Sequence, residues 1–242
     1  MRLNKIALAG LVLGGSVLLA ACGGGSGGGS VFGGDPALTL KGTAATGAAI
    51  NGGAVTATCK TGTGTATSNS EGSFTVTITN GVGPCLLAIT PVGSTTPIYS
   101  ITSGSGATQT ANITPMTNML VNYLLSVPGM TAANPAAWFA LPAVKTLLAD
   151  TTALTARITN DFIPAVQLLL PTLSLSNPDF LFTAFTANPA NSSTDADLEK
   201  LKAAGIVTSN GAPSTATTNI LKNAAANDHP VVPPTGATGA GS

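Results

Sequence analysis

Few side chains in this 242-residue chain could do chemistry. The one histidine, His229, lies in an Asp-His-Pro-Val-Val-Pro-Pro stretch that reads as a disordered tail over residues 227–242. A Ser–His or Cys–His nucleophile pair therefore has no positioned base. Three cysteines are present, Cys22, Cys59 and Cys85, with neither CxxC spacing nor a nearby histidine. A zinc site or a redox pair is not expected from them. Carboxylates cluster once, at Asp195, Asp197 and Glu199. The first turn of a helix explains such a cluster through the macrodipole; a calcium site is the alternative. No glycine-rich stretch stands between a strand and a helix as phosphate binding requires. The expectation is no catalytic residues, no metal and no cofactor, and a protein that is not an enzyme. A hydrolase working through two carboxylates is the remaining enzymatic alternative.

Composition narrows the partners. Charged residues make up 7 % of the chain, with nine basic and nine acidic side chains. Loss of Arg2 and Lys5 with a leader would leave seven basic against nine acidic ones, a net charge of about −2. There is no basic patch for nucleic acid and no acidic block. Thr, Ala, Gly, Ser and Asn dominate, so the surface is polar through hydroxyls and amides.

Residues 1–21 read as a secretory leader. Arg2 and Lys5 form a positive start, and residues 6–19 form an apolar core. That core, about 14 residues, is short for spanning a ~30 Å hydrocarbon layer. Leu19-Ala20-Ala21-Cys22 then resembles the lipobox of bacterial lipoproteins. The resemblance implies cleavage before Cys22, a diacylglycerol on its thiol and a further acyl chain on its amine. Each buried CH₂ contributes about 0.8 kcal/mol, so two or three chains hold a protein almost permanently. Gly23 stands where an Asp retains such lipoproteins at the inner membrane, which favours the outer membrane. Residues 22–36, including GGGSGGGS, form a flexible tether with a reach of about 20 Å.

In an oxidising envelope the two remaining cysteines, Cys59 and Cys85, read as a disulfide. They lie in an all-β region, residues 37–113. Apolar residues alternate at Leu38 and Leu40, at Val55, Ala57 and Cys59, and at Phe74, Val76 and Ile78. Further strands are expected at 86–90, 98–102 and 107–113. Turn signals fall at 51–53, 69–72, 80–81 and 104–106. Six or seven short strands at this spacing predict a β-sandwich.

Gly42-Thr43 with residues 47–57, and then residues 67–76 (TSNSEGSFTV), resemble the signatures of prealbumin-like domains. These include the carboxypeptidase regulatory-like and Cna-B-like modules. The resemblance covers about 75 residues and implies an antiparallel β-sandwich, with little said about function. Cys59 and Cys85 depart from most members and are expected to point inward, stapling two strands across the core. Cna-B-like domains sometimes cross-link a strand Lys to a strand Asn beside an acid. Lys41, Asn112 and Glu71 are the residues available. Period-two alternation puts Lys41 outward and Glu71 in a turn, so a solvated Lys41 is expected instead.

From Thr114 the pattern turns helical, and residues 114–226 are expected to form a small α-helical domain. Thr114-Pro115 and Asn134-Pro135 are cap-then-proline starts. Met116, Met119, Leu120, Tyr123 and Leu124 make one apolar face. Residues 152–170 form the longest helix, kinked at Pro164. Asn177-Pro178 opens a short helix, Thr194 with Asp197 caps another that Gly205 closes, and residues 217–226 form the last. Trp138, Phe139, Phe162, Phe180, Phe182 and Phe185 concentrate here. Helical spacing makes them a bundle core, with an aromatic ligand cleft as the alternative. Ser214 and the tail are candidate O-glycosylation sites.

The reading is thus a two-part α+β protein, lipidated at Cys22 and held in the outer membrane, with its ligand unknown. Its expected role is structural or binding, toward an envelope protein or a host surface. A small apolar ligand in the helical domain is the alternative partner.

Overall fold

Alternating apolar and hydroxyl side chains suit a pleated strand buried on one face, and the first half is built this way. A computed structural model describes residues 37–173, 175, 178–187 and 192–227. The leader, Cys22, the tether and His229 lie outside the described residues. Seven strands form: β1 (Ala37–Thr43), β2 (Ala54–Thr61), β3 (Thr63–Thr67), β4 (Ser73–Thr79), β5 (Val82–Thr90), β6 (Ile98–Ile101) and β7 (Thr108–Thr110). They make two sheets, in the orders β4-β1-β7 and β3-β2-β5-β6. Leu38, Leu40, Val76 and Ile78 of the first sheet and Val55, Ala57, Leu87 and Ile89 of the second are buried in one apolar cluster. Each buried Leu, Val or Ile among them contributes roughly 1.5–3 kcal/mol by leaving water, and Ala57 less.

Two strand features differ from the expectation. β3 has no apolar run; it presents Gly64 and Ala66 to the interior and three threonines to water. A Cβ at Gly64 would fall 2.6 Å from a Val76 methyl and 2.8 Å from Ile78. The first sheet, moreover, is not purely antiparallel. β1 pairs antiparallel with β4 but parallel with β7. After β6 the chain crosses to the first sheet and enters beside β1 in the same direction. Only three residues of β7 need satisfy the slanted parallel pattern. The pairing then extends beyond β7, through Ala111 N–H to Lys41 O and Ile113 N–H to Thr43 O, both at 2.9 Å. Gly42 permits this approach, since a Cβ there would overlap the Ala111 carbonyl.

β5 reads Pro-Cys-Leu-Leu-Ala-Ile, a nearly continuous apolar run, and such runs belong to strands covered on both faces. Leu87 and Ile89 face the inter-sheet layer. Leu86, with Ile101 of β6, enters a second core formed by the helices. Strands and helices therefore share packing, and all described residues fall in one compact unit.

The helices are α1 (Pro115–Leu124), α2 (Pro135–Ala140), α3 (Pro142–Ala149), α4 (Thr151–Arg157), α5 (Ile163–Leu169), α6 (Asp179–Phe182), α7 (Ser193–Ala203) and α8 (Thr215–Ala226). Thr114 caps α1 in a reciprocal box with Thr117, and Asn134 caps α2. α1 closes the open edge of β6. Thr117 Oγ1 donates to Tyr99 O at 3.0 Å, and Asn118 Oδ1 accepts from Tyr99 N–H at 3.1 Å. An edge strand left unpaired would be a template for association.

Between α4 and α5 the helix runs on through a π turn, Ile158–Phe162, where Ile163 N–H reaches back to Ile158 O. This wider turn directly precedes Pro164, whose missing N–H cannot support an ordinary turn. α7 is capped by Ser192, which accepts from Asp195 N–H at 3.3 Å, and not by Thr194. The cap thus lies two residues earlier than the Thr194–Asp197 pattern implies. α6 follows Pro178, while Asn177 lies outside the described residues. The fold is mixed α+β. No helix among the described residues is long and apolar enough to cross a membrane.

Candidate functional site

Cys59 and Cys85 are brought together. They stand directly opposite each other on β2 and β5, bonded to one another and buried. The Cys59 N–H is used by Gly62 O and the Cys85 N–H by Thr102 Oγ1, so the pair exchanges no backbone bonds. Such non-hydrogen-bonded pairs bring side chains closest. The bridge links neighbouring strands of one sheet; it does not cross the core between sheets. The reason is register: β2 and β5 are adjacent, so their facing residues share one pleat.

The cross-link residues are not assembled. Lys41 is exposed on the outer face of β1, and Glu71 is exposed in the Asn69–Gly72 turn. Asn112 is fully buried and already has three partners. Its Oδ1 accepts from Thr43 N–H at 3.3 Å, and its Nδ2 donates to Phe180 O at 3.3 Å and Thr183 O at 2.7 Å. Thr43 Oγ1 adds a bond to Phe185 O at 2.6 Å. Together they pin the segment after α6 to the end of β1. This clasp is not legible from residue types alone; its sequence signal is an amide at the strand-to-helix junction.

The aromatic side chains pack mostly on each other. Trp138, Phe162, Phe180 and Phe139 are buried. Tyr123 meets Phe162 edge-on at 5.7 Å between ring centres, and Phe162 meets Phe180 at 6.0 Å. This is core packing of the kind the helical spacing predicts. Phe185 is different: it is half-buried and, with Ala184, walls a groove on the outer face of β1 floored by Lys41, Thr75 and Thr110. A second groove lies between Lys60 and α3, lined by Pro142, Lys145 and Asp150.

The acidic trio divides into two environments. Asp197 is buried but paired, with Lys200 Nζ at 2.8 Å. Asp195 is fully buried, and neither carboxyl oxygen has a hydrogen-bond partner. Burial, and secondly the charge of Glu199, raise its pKa above the ordinary carboxylate value. Glu199 is half-buried and abuts Gly47, where a Cβ would overlap its Oε1. Among the described residues no group of three or more His, Cys, Asp and Glu side chains is placed to hold a metal. Ser214 caps α8 through Thr217 N–H, so its hydroxyl has a structural use. Comparison of the chain with protein-family models, curated proteins and solved structures finds no match.

Proposed function

We propose that this chain is a lipoprotein of the outer membrane, lipidated at Cys22, with a non-catalytic structural or binding role in the cell envelope. Its strand half is a prealbumin-like sandwich, and its helical half is fused to that sandwich through a shared core. Held by the lipid on Cys22, the folded part meets an envelope protein or a host surface. The observation that carries the reading is the closed Cys59–Cys85 bond, buried between neighbouring strands. Disulfides persist in oxidising compartments and are rare in the cytosol, so the bond agrees with the export signal at residues 1–21 and the Leu19–Cys22 motif. The test is a Cys22→Ser variant, compared with the wild type by membrane fractionation and by crosslinking in intact cells. The variant leaves the membrane fraction and loses the crosslinked envelope partner. A variant that stays in the outer membrane with the same crosslinks would refute the anchor.

A further inference from the structure

The Asp195 side chain is the least explained group in the fold. It sits at the third residue of α7, where an acid ordinarily folds back to the N-cap N–H in a capping box. It does not do so, because both oxygens lack any hydrogen-bond partner. It is also fully buried, and a buried carboxylate without a partner is costly. Glu199, four residues on, lies on the same face of α7 and adds a second negative charge. Neither residue forms an ion pair among the described residues, while the neighbouring Lys200 is taken by Asp197. Across from Glu199 runs the turn at Gly47, at a φ of +92°, whose missing side chain makes the space that Glu199 Oε1 occupies. Two carboxylates thus share one face of α7 with no ion pair among the described residues: Asp195, buried and without a hydrogen-bond partner, and Glu199, against the Gly47 turn.

We propose that Asp195 and Glu199 form a calcium site between α7 and the Gly47 turn. Hard oxygen ligands select calcium or magnesium over softer metals. Only two carboxylates are supplied, so water would complete most of the shell. Calcium tolerates such irregular, partly hydrated shells better than magnesium does. Two ligand charges place the affinity among weak extracellular modules, with a Kd on the order of 0.1–1 mM. The ion would fasten α7 to the loop after β1, joining the helical and strand parts at a second point beside the Asn112 clasp.

The experiment is thermal unfolding of the purified full chain after chelation, at pH 7, with calcium chloride added to 10 mM. Sodium chloride at equal ionic strength serves as control, and calcium binding is titrated by calorimetry. At a Kd of about 1 mM, mass action predicts a rise in Tm of roughly 3–6 °C. The rise is absent in Asp195→Asn and in Glu199→Gln. Glu199 is half-exposed, so its variant keeps the test decisive if Asp195→Asn fails to fold. Gly47→Ala, which displaces Glu199, weakens binding at least tenfold. No rise and no binding heat with calcium in the wild-type protein would overturn the site, leaving Asp195 as a carboxyl neutralised by a proton. An equal rise in Glu199→Gln would overturn it as well.

Discussion

Loss of the Cys59–Cys85 bond should destabilise the fold by an amount that its sequence separation sets. The two cysteines are 26 residues apart. The chain-entropy relation then gives about 12 cal/mol/K, or about 3.5 kcal/mol at 25 °C. For a fold of this size 1 kcal/mol moves Tm by about 2–4 °C, so the expected loss is about 7–14 °C. The perturbation is the double variant Cys59→Ala/Cys85→Ala, which keeps both positions apolar within β2 and β5. The assay is circular-dichroism melting beside the wild type, with thiol titration of the denatured, non-reduced wild-type protein. That titration finds neither Cys59 nor Cys85 free. A Tm loss below about 3 °C would mean that the bond does not constrain the unfolded chain as the loop length requires. Two titratable thiols at these positions would refute the bond itself.

Other outcomes follow from single residues. Asn112→Ala removes the partner of the buried Thr43 N–H and of two carbonyls, and should cost about 2–4 kcal/mol in urea unfolding. Gly64→Val drives methyl groups into Val76 and Ile78 and should cost about 1–3 kcal/mol, whereas Thr65→Val, on the exposed face of the same strand, should stay within about 0.5 kcal/mol. Asp195 has a raised pKa in the fold, so the folded state holds its proton more tightly than the unfolded chain. Its contribution to stability is complete below the unfolded value of about 3.9 and is lost as pH rises through the raised value. Melting of chelated protein from pH 4 to 8 should show this decline in the wild type and not in Asp195→Asn; identical profiles would contradict it. Intact mass should show no loss of ammonia, because Lys41 and Asn112 are not joined.

Much of the architecture is visible in the residues because local chemistry and packing agree there. β2 and β4 alternate strictly, and Thr114-Pro115 and Asn134-Pro135 start helices where a hydroxyl or amide precedes proline. β3 is hidden because its inward residues are glycine and alanine, chosen for close approach to Val76 and Ile78 and carrying no hydrophobic signal. The parallel β1–β7 pairing is hidden because alternation tells which face is buried and not which neighbour a strand takes. The cap of α7 is ambiguous because Ser192 and Thr194 both offer a hydroxyl to the first turn, and backbone geometry chooses the earlier one. Asp195 resembles any acid favoured by a helix dipole. Its burial comes from the way α7 lies in the fold, with Leu198 and Leu201 in the core. Asn112 likewise reads as a strand-end amide until the segment after α6 is laid across it.

The proposed lipid on Cys22 can be read from the mature N-terminal peptide. Membrane-bound protein is digested, and that peptide is sequenced and weighed by mass spectrometry. If Cys22 is lipidated, that peptide begins at Cys22 and carries a thioether-linked diacylglycerol with a further acyl chain on its amine. A peptide that begins elsewhere, or that begins at Cys22 with a free thiol, would rule the anchor out.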